Sequence, residues 1–213
     1  MFVKKYKTKI NIRLIIRSFM HRVAFYLNHI FGDRLTPNMV TYVGFIMHIP
    51  IAFLIADRAN ILAAVLLIVF GLFDTLDGEL ARIQKKDSAR GMLLDASTDR
   101  FKEVFLFAGV AYQLVQTASP FIVVMTVLAL GFSMSVSYVK AKGEAAISYS
   151  NKSLKHQELN RLFGGGLLSF EVRMVVLILG LILNQLSLAV IFIAIFAATT
   201  AISRLLKISN QLT

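Results

Sequence analysis

The stretch Phe73–Lys102 reads FDTLDGELARIQKKDSARGMLLDASTDRFK and carries two pairs of aspartates at helical spacing. Asp74 and Asp77 are three residues apart, and Asp95 and Asp99 are four apart, so each pair shares one face of its helix. Two such helices, joined by a polar turn, can point four carboxylates at one small volume. Four like charges at such short distances repel strongly unless cations lie between them. Because oxygen-only ligands favour Mg²⁺, Mn²⁺ or Ca²⁺, the stretch predicts a divalent cation site.

The composition of the chain is typical of an integral membrane protein. Of its 213 residues, 57% are hydrophobic, and the mean hydropathy of +0.70 is too high for an ordinary soluble domain. The net charge of +11 comes from basic residues that alternate with long apolar runs. This pattern favours membrane orientation and anionic lipids or substrates over nucleic acid. The absence of cysteine excludes disulfides, thiolate catalysis and cysteine metal ligands.

Six apolar segments follow the N-terminal region, each close to the roughly 20 residues that cross a bilayer. The predicted spans are 37–56, 60–81, 92–114, 119–140, 170–184 and 186–204. Pro37 and Pro120 fall in the first turns of the first and fourth spans, where a missing N–H is harmless. The sequence therefore predicts an all-α integral membrane protein with six transmembrane helices, which form one domain over residues 36–213.

Residues 1–35 form a separate segment in which basic and apolar side chains recur together. Lys9, Arg13 and Arg17 are interleaved with isoleucine, leucine and phenylalanine. This pattern predicts a cytoplasmic juxtamembrane helix that is amphipathic and lies at the membrane interface beside anionic headgroups. The alternative is a solvated basic helix that packs on the rest of the protein.

The distribution of positive charge predicts the orientation in the membrane. Segments 1–35, 82–102 and 140–173 hold eight, six and six lysines or arginines, whereas the three opposite turns hold Arg58 alone. The more basic side of a membrane protein faces the cytoplasm. We therefore expect a multi-pass protein of the cell membrane with both termini and the aspartate stretch on the cytoplasmic side.

Three interpretations of the aspartates are open from the residues alone. They bind metals in an enzyme that acts on a phosphate-bearing lipid, they form the site of a divalent-cation transporter, or they only pair with basic neighbours. Those neighbours are Arg82, Arg90, Arg100 and Lys102. Gly78 and Gly91 let a ligand approach the backbone, and Arg82 can fork onto a phosphate. A transporter has no obvious use for that arginine, so the enzyme is favoured.

One long, uninterrupted pattern resembles the signature of the CDP-alcohol phosphotransferase family, the class I CDP-alcohol phosphatidyltransferases, at all eight positions: Asp74-x2-Asp77-Gly78-x2-Ala81-Arg82-x8-Gly91-x3-Asp95-x3-Asp99. Six spans with this pattern across the second and third are also similar to that family. The resemblance implies that residues 36–213 are a six-helix CDP-alcohol phosphotransferase domain that forms a homodimer. It also implies metal-dependent transfer of a phosphatidyl-type group from CDP-diacylglycerol or CDP-archaeol to an alcohol, with release of CMP.

The resemblance implies roles for individual residues. Asp74, Asp77 and Asp95 match the family's metal ligands, and two Mg²⁺ or Mn²⁺ ions are implied. Asp99 matches the residue assigned as general base, which is also close to one metal. The positions implied to hold the CDP-lipid are Thr36, Asn38, Thr41, Gly78, Arg82 and Ser88.

Two further segments indicate the acceptor alcohol. Ser137–Glu144 and Phe170–Arg173 resemble the subgroup that makes phosphatidylinositol phosphate or archaetidylinositol phosphate. Basic residues hold the acceptor's phosphate in that subgroup, which implies Lys140, Lys142, Arg161 and Arg173. The alternative is that these residues are ordinary positive-inside anchors. The favoured acceptor is inositol 1-phosphate, and the alternative is glycerol 3-phosphate, the acceptor of phosphatidylglycerophosphate synthases.

Overall fold

The computed structural model describes residues 12–150 and 168–212, and every regular element in those ranges is helical. The helices are α1 (Ile12–Phe31), α2 (Pro37–Ala56), α3 (Asn60–Gly71), α4 (Phe73–Gln84), α5 (Ala89–Thr117), α6 (Pro120–Tyr149), α7 (Phe170–Ile182) and α8 (Leu186–Leu212). A single 3-10 turn, Gly32–Arg34, lies between α1 and α2. The prediction of an all-α protein is confirmed for the part of the chain that is described.

Four helical stretches of the described chain are long and apolar enough to cross a membrane: Pro37–Ala56, Asn60–Gln84, Pro120–Tyr149 and Leu186–Leu212. The second of them joins α3 and α4. Pro37 and Pro120 begin the first and third, as the sequence predicts. The predicted third and fifth spans fall in α5, which carries many charges in its first half, and in α7, which has 13 residues. Thirteen residues are fewer than the roughly 20 that cross a bilayer.

A left-handed residue ends α4 and allows the chain to turn towards α5. Lys85 has a φ of 54°, and the backbone N–H of Lys86 donates to the Ala81 carbonyl at 2.9 Å. This pattern satisfies carbonyl groups that the helix end would otherwise leave unbonded. The next helix then begins at Ala89. The polar turn predicted between the two aspartate pairs is therefore present, and it is short.

The chain forms two compact units. The first consists of Met1–Ile46 and Val69–Thr98, and the second of Met47–Ile68 and Asp99–Thr213. The unit boundaries fall inside α2, α3 and α5, so each of these helices contributes to both units. Three of the four aspartates in the signature belong to the first unit, and Asp99 begins the second.

In the first unit, α1 packs on α4 around a small apolar core. Met20 and Ala24 of α1 are buried against Leu76 and Leu80 of α4, and Val40 of α2 joins them. Burying these side chains stabilises the contact by removing apolar surface from water. The face of α4 that is opposite its core residues therefore remains available to a site.

The turn between α1 and α2 is attached to the last turn of α4. Gln84 Nε2 lies 2.9 Å from Asn28 Oδ1, 2.8 Å from the Leu35 carbonyl oxygen and 3.3 Å from the Gly32 carbonyl oxygen. An amide nitrogen carries two hydrogens, so these three acceptors share its donors. Gly32 has a φ of +55°, which glycine adopts without a steric cost. These bonds fix the direction in which the chain enters α2.

In the second unit, α6 and α7 pack on α8. Small residues of these helices, such as Ala129 and Ser133 of α6 and Ala197 of α8, are buried. Small side chains let helices approach closely, which is the usual packing mode within membranes. The same unit contains a tight contact between α2 and α5, where a Cβ on Gly109 would lie 2.3 Å from the Ala52 carbonyl oxygen. Any larger residue at Gly109 would push these two helices apart.

Candidate active site

The first unit contains a cavity of about 710 Å³ whose lining comes from α2, α4, the turn after α4 and α5. Three predicted metal ligands line it, namely Asp74, Asp77 and Asp95. Five of the six predicted CDP-lipid contacts line it as well: Asn38, Thr41, Gly78, Arg82 and Ser88. Residues that are up to 57 positions apart in the sequence therefore meet at one cavity.

Asp77 is held in place by a hydroxyl group from α2. Thr41 Oγ1 donates to Asp77 Oδ2 at 2.6 Å, and both side chains are buried. The same hydroxyl lies 3.2 Å from the Pro37 carbonyl oxygen. A hydroxyl has one hydrogen, and the shorter distance shows that it points towards the carboxylate. The carboxylate of Asp77 is therefore fixed by a neutral donor.

Asp74 and Asp95 come from different helices but offer carboxylate oxygens that lie within 4.8 Å of one another. Both residues are half-buried. Mg²⁺ takes oxygen ligands at about 2.1 Å, so two ligands on opposite sides of one ion are about 4.2 Å apart. The oxygen atoms are thus close to a spacing that one ion can bridge, and the oxygen-only donor set fits Mg²⁺ or Mn²⁺.

Gly91 is needed because two polar side chains lie against it. A Cβ at this position would be 3.3 Å from Ser88 Oγ and 3.7 Å from Asn38 Oδ1. The backbone N–H of Gly91 donates to Ser88 Oγ at 3.1 Å, which satisfies one of the free N–H groups at the start of α5. Glycine therefore allows Asn38 and Ser88 to lie side by side at the wall of the cavity.

Arg82 folds back along α4 and lies over Gly78. Its Nη2 atom is 3.6 Å from where a Cβ of Gly78 would be, and both residues line the cavity. The same Nη2 donates to Glu79 Oε1 at 2.5 Å. A guanidinium has five N–H donors in a fixed fork, so this bond leaves it able to bind a phosphate as well.

Thr36 has a different position from the other predicted CDP-lipid contacts. It is not among the residues that line the cavity. Its Oγ1 accepts a hydrogen bond of 3.3 Å from the backbone N–H of Met39, as the N-cap residue of a helix does. Thr36 therefore caps the start of α2, and its predicted contact with the CDP-lipid stays a prediction.

Asp99 follows Asp95 by one turn of α5 and contacts two basic residues of the second unit. Lys102 Nζ donates to Asp99 Oδ1 at 3.2 Å, and Arg100 Nη2 lies 3.8 Å from Asp99 Oδ2. Lys102 is fully buried. Pairing with basic neighbours, which the sequence left open for all four aspartates, is therefore observed at Asp99. Arg82, by contrast, pairs with Glu79.

A second cluster of charges surrounds Glu103 in the second unit. Glu103 is fully buried, and its Oε1 accepts a bond of 2.7 Å from Arg173 Nε while its Oε2 accepts from Arg100 Nη1. Arg100 Nη1 also donates to Ser137 Oγ at 2.9 Å. Both guanidinium groups lie near the ring of Phe170, at 4.9 and 5.9 Å from its centroid. Glu103 thus accepts from two arginines, one of which, Arg100, also lies near Asp99.

Lys140 and Lys142 project from different sides of α6. With 3.6 residues per turn, positions two apart are rotated by about 200°. Lys140 Nζ lies 3.9 Å from Glu144 Oε1, whereas Lys142 Nζ lies 5.9 Å from the centroid of the Tyr138 ring. The structure does not bring these two predicted acceptor contacts together. Arg161, another predicted acceptor contact, lies outside the described residues.

Sequence patterns assign no role to Glu79 or Glu103 and name Lys102 only as a possible pairing partner of the aspartates, although all three are buried. A buried charge is destabilising unless a partner compensates it. Each has its partner three residues away on the same helix, at Arg82, Asp99 and Arg100 respectively. Opposite charges at this spacing inside an apolar helix are the signal that could have identified them.

The family model for CDP-alcohol phosphatidyltransferases matches residues 34–202. The phosphatidylinositol phosphate synthase of Corynebacterium glutamicum is 35% identical over 116 residues, which are 53% of this chain and 53% of that protein. The archaetidylinositol phosphate synthase of Pyrococcus horikoshii is 27% identical over 184 residues, 84% of this chain and 86% of that protein. The chain therefore spans about half the length of the first relative and most of the second.

Crystal structures of the phosphatidylinositol phosphate synthase of Mycobacterium tuberculosis share the fold. The structure with CDP-DAG bound has a TM-score of 0.73 and 25% identity, and the match covers 89% of this chain and 92% of that chain. The structure in complex with manganese and citrate has a TM-score of 0.75 and 24% identity, covering 89% and 88%. The similarity thus extends over nearly the whole helical architecture.

Proposed function

Because the chain belongs to the CDP-alcohol phosphatidyltransferase family, we propose that it transfers a phosphatidyl-type group from a CDP-lipid to a phosphorylated polyol and releases CMP. The observation that carries this proposal is the cavity of the first unit. It joins three carboxylates, at Asp74, Asp77 and Asp95, to Arg82 and to small residues beside it. Acids that hold cations, together with an arginine for phosphate, suit a nucleoside diphosphate ligand.

The proposed metal ligands are the four aspartates of the signature: Asp74, Asp77, Asp95 and Asp99. Two Mg²⁺ or Mn²⁺ ions bound there would neutralise the diphosphate and the negative charge that develops on the departing CMP. The manganese complex of the Mycobacterium tuberculosis relative supports this choice of ion. Thr41 serves the site by keeping the Asp77 carboxylate in one orientation.

The CDP-lipid is proposed to bind with its phosphates beside Gly78 and Arg82. Gly78 has no side chain to block the approach, and the guanidinium of Arg82 lies directly over it. Asn38 and Ser88, which meet at Gly91, are proposed to contact the rest of the nucleotide. The relative from Mycobacterium tuberculosis that was solved with CDP-DAG supports a CDP-lipid as the ligand.

The transfer step is proposed to use Asp99 as the proton acceptor. The acceptor's hydroxyl oxygen forms a bond to the lipid-linked phosphorus, and the bond from that phosphorus to the oxygen of CMP breaks. The hydroxyl proton passes to the Asp99 carboxylate as the new bond forms. Lys102, which donates to Asp99 Oδ1, orients the carboxylate for this role.

The acceptor is proposed to be inositol 1-phosphate, with its phosphate near the arginine cluster of the second unit. Three basic groups, Arg100, Lys102 and Arg173, face the two acids Asp99 and Glu103, so the cluster has positive charge to offer an anion. Lys140 is proposed to assist, whereas Lys142 is proposed to act as an anchor at the membrane edge. The relatives that make phosphatidylinositol phosphate and archaetidylinositol phosphate support this acceptor.

We further propose six membrane spans, in which α5 and α7 complete the four apolar stretches, and a homodimer as in the family. Helix α1 is proposed to lie at the cytoplasmic membrane surface. Leu14, Phe19 and Tyr26 are each more than half exposed, while Met20 and Ala24 pack inward on α4. An apolar face of this kind is stabilised when lipid rather than water covers it. Both termini and the cavity are proposed to face the cytoplasm.

The proposal is tested by measuring CMP release from the purified protein in detergent. The donors are CDP-diacylglycerol and CDP-archaeol, the metal is Mg²⁺ or Mn²⁺, and the acceptors are inositol 1-phosphate, glycerol 3-phosphate and free inositol. CMP release with inositol 1-phosphate is expected. Release with glycerol 3-phosphate alone would change the acceptor and keep the reaction. No release with any acceptor, combined with uptake of divalent metal into vesicles, would replace the enzyme by a transporter.

A further inference from the structure

Glu79 is a buried acid whose carboxylate is contacted by three basic side chains. Arg17 Nε donates to its Oε1 at 2.7 Å, Arg82 Nη2 donates to the same oxygen at 2.5 Å, and His21 Nδ1 lies 3.0 Å from its Oε2. The Glu79 side chain is 4% exposed, whereas its partners are 45–56% exposed. The acid is therefore enclosed, and the bases extend outward from it.

The three bases come from two helices. Arg17 and His21 are one turn apart on α1, and Arg82 is one turn after Glu79 on α4. These side chains line a groove of about 580 Å³ between α1 and α4. Arg82 lines this groove and also the cavity that holds the carboxylates Asp74, Asp77 and Asp95. Arg82 therefore connects Glu79 and its α1 partners, Arg17 and His21, to the candidate active site.

A free arginine side chain has many rotamers, and ordering it costs conformational entropy. The bond from Arg82 Nη2 to Glu79 selects one arrangement before any ligand arrives. In that arrangement the guanidinium lies against Gly78, where a phosphate can approach. A preorganised donor binds more tightly because less freedom is lost on binding.

We propose that Glu79 is a positioning residue that holds Arg82 for the phosphates of the CDP-lipid and connects this arginine to α1. Through Arg17 and His21, the N-terminal helix becomes part of the support of the nucleotide site. This inference rests on the proposed function. It predicts that changes on α1, far from the carboxylates, alter the affinity for the CDP-lipid.

The test compares Glu79→Gln and Arg17→Gln with the unmodified enzyme in steady-state CMP release. Glutamine keeps the shape of Glu79 but loses its charge, so we expect the KM for CDP-diacylglycerol to rise about tenfold with kcat nearly unchanged. Arg17→Gln removes one outer partner and leaves the Glu79–Arg82 bond, so a rise of about threefold is expected. The matched control is Asp57→Asn, an exposed acid of the second unit, which should leave both constants unchanged.

A double-mutant cycle separates positioning from a purely structural role. If Glu79 acts through Arg82, adding Glu79→Gln to Arg82→Gln raises the KM for CDP-diacylglycerol no further. Independent, multiplying effects in the double variant would overturn the inference, as would an unchanged KM in folded Glu79→Gln. If Glu79→Gln does not fold, Arg17→Gln and His21→Asn provide the test, and unchanged KM values in both would overturn it.

Failure of this inference and failure of the proposed function give different results. An unmodified enzyme that releases no CMP with any acceptor removes the proposed reaction. An active unmodified enzyme whose KM for CDP-diacylglycerol is insensitive to Glu79, Arg17 and His21 removes only the positioning role. Retained elution volume and melting temperature in detergent show that each variant is folded.

Discussion

The Asp74–Asp95 pair of the first unit and Glu103 of the second unit lie in different electrostatic surroundings. In the first unit, Asp74 and Asp95 bring carboxylate oxygens within 4.8 Å of one another at a cavity. In the second unit, Glu103 is fully buried and accepts hydrogen bonds from both Arg100 and Arg173. One arrangement brings like charges together, and the other alternates opposite charges.

This difference indicates which charges serve the fold and which serve a ligand. A buried acid between two arginines is compensated by the protein itself, so removing it leaves buried charges without a partner. Two carboxylates that face each other repel and gain from an added cation. We therefore expect substitution of Asp95 to act on cation binding and activity, and substitution of Glu103 to act on folding.

The largest expected effect is the loss of activity in Asp95→Asn. This variant removes one of two facing carboxylates, so the cation affinity of the cavity should collapse and CMP release should fall at least about a hundredfold. The rise in melting temperature that Mn²⁺ causes in the unmodified protein should also disappear. A variant that keeps the Mn²⁺-dependent rise in melting temperature would break the contrast between Asp95 and Glu103.

The next effect is a defect in the chemical step in Asp99→Asn. An amide cannot accept the acceptor's proton, so kcat should fall by about a hundredfold. Binding of CDP-diacylglycerol, measured by titration in detergent, should survive within about twofold because the CDP-lipid contacts belong to the first unit. Equal loss of binding and turnover would instead make Asp99 a metal ligand alone.

The third effect is on stability, in Glu103→Gln. The amide leaves Arg100 and Arg173 without their shared negative charge, so the free energy of unfolding should fall by about 3 kcal/mol. The measurement is the melting temperature in detergent without metal. Glu144→Gln is the control, because Glu144 is 53% exposed and its contact with Lys140 is weak. Equal melting temperatures in the two variants would show that the second cluster does not serve the fold.

Most of the first unit's site could be predicted from the sequence because its residues lie close together along the chain. Asp74, Asp77, Gly78 and Arg82 occupy one face of α4, and helical periodicity alone groups them. Asp95 joins them through a short turn. The predicted all-α fold and the starts of two spans at Pro37 and Pro120 are likewise local features.

The rest depends on long-range packing that no local pattern encodes. The bond from Thr41 to Asp77 spans 36 positions, and the bond from Arg173 to Glu103 spans 70. The role of Thr36 as a helix cap depends on where α2 begins, a boundary that sequence patterns predict poorly. Within residues 12–150 and 168–212, four stretches rather than six meet the length and composition of a span, because the charges of α5 lower its apolar character and α7 has 13 residues.

The smallest expected effect separates Lys140 from Lys142 and tests how the arginine cluster extends along α6. Ser137 accepts from Arg100 Nη1, which marks the side of α6 that faces the cluster. Lys140, three residues further, is rotated by about 60° from Ser137, whereas Lys142 is rotated by about 140°. We therefore expect Lys140→Gln to raise the KM for inositol 1-phosphate about threefold and Lys142→Gln to leave it unchanged. Free inositol, which has no phosphate, is the control acceptor, and Lys140→Gln should not alter the KM for free inositol. An equal rise in the KM for inositol 1-phosphate in Lys140→Gln and Lys142→Gln would mean that general positive charge at the membrane edge attracts the acceptor. The arginines of the second unit would then act in the fold alone.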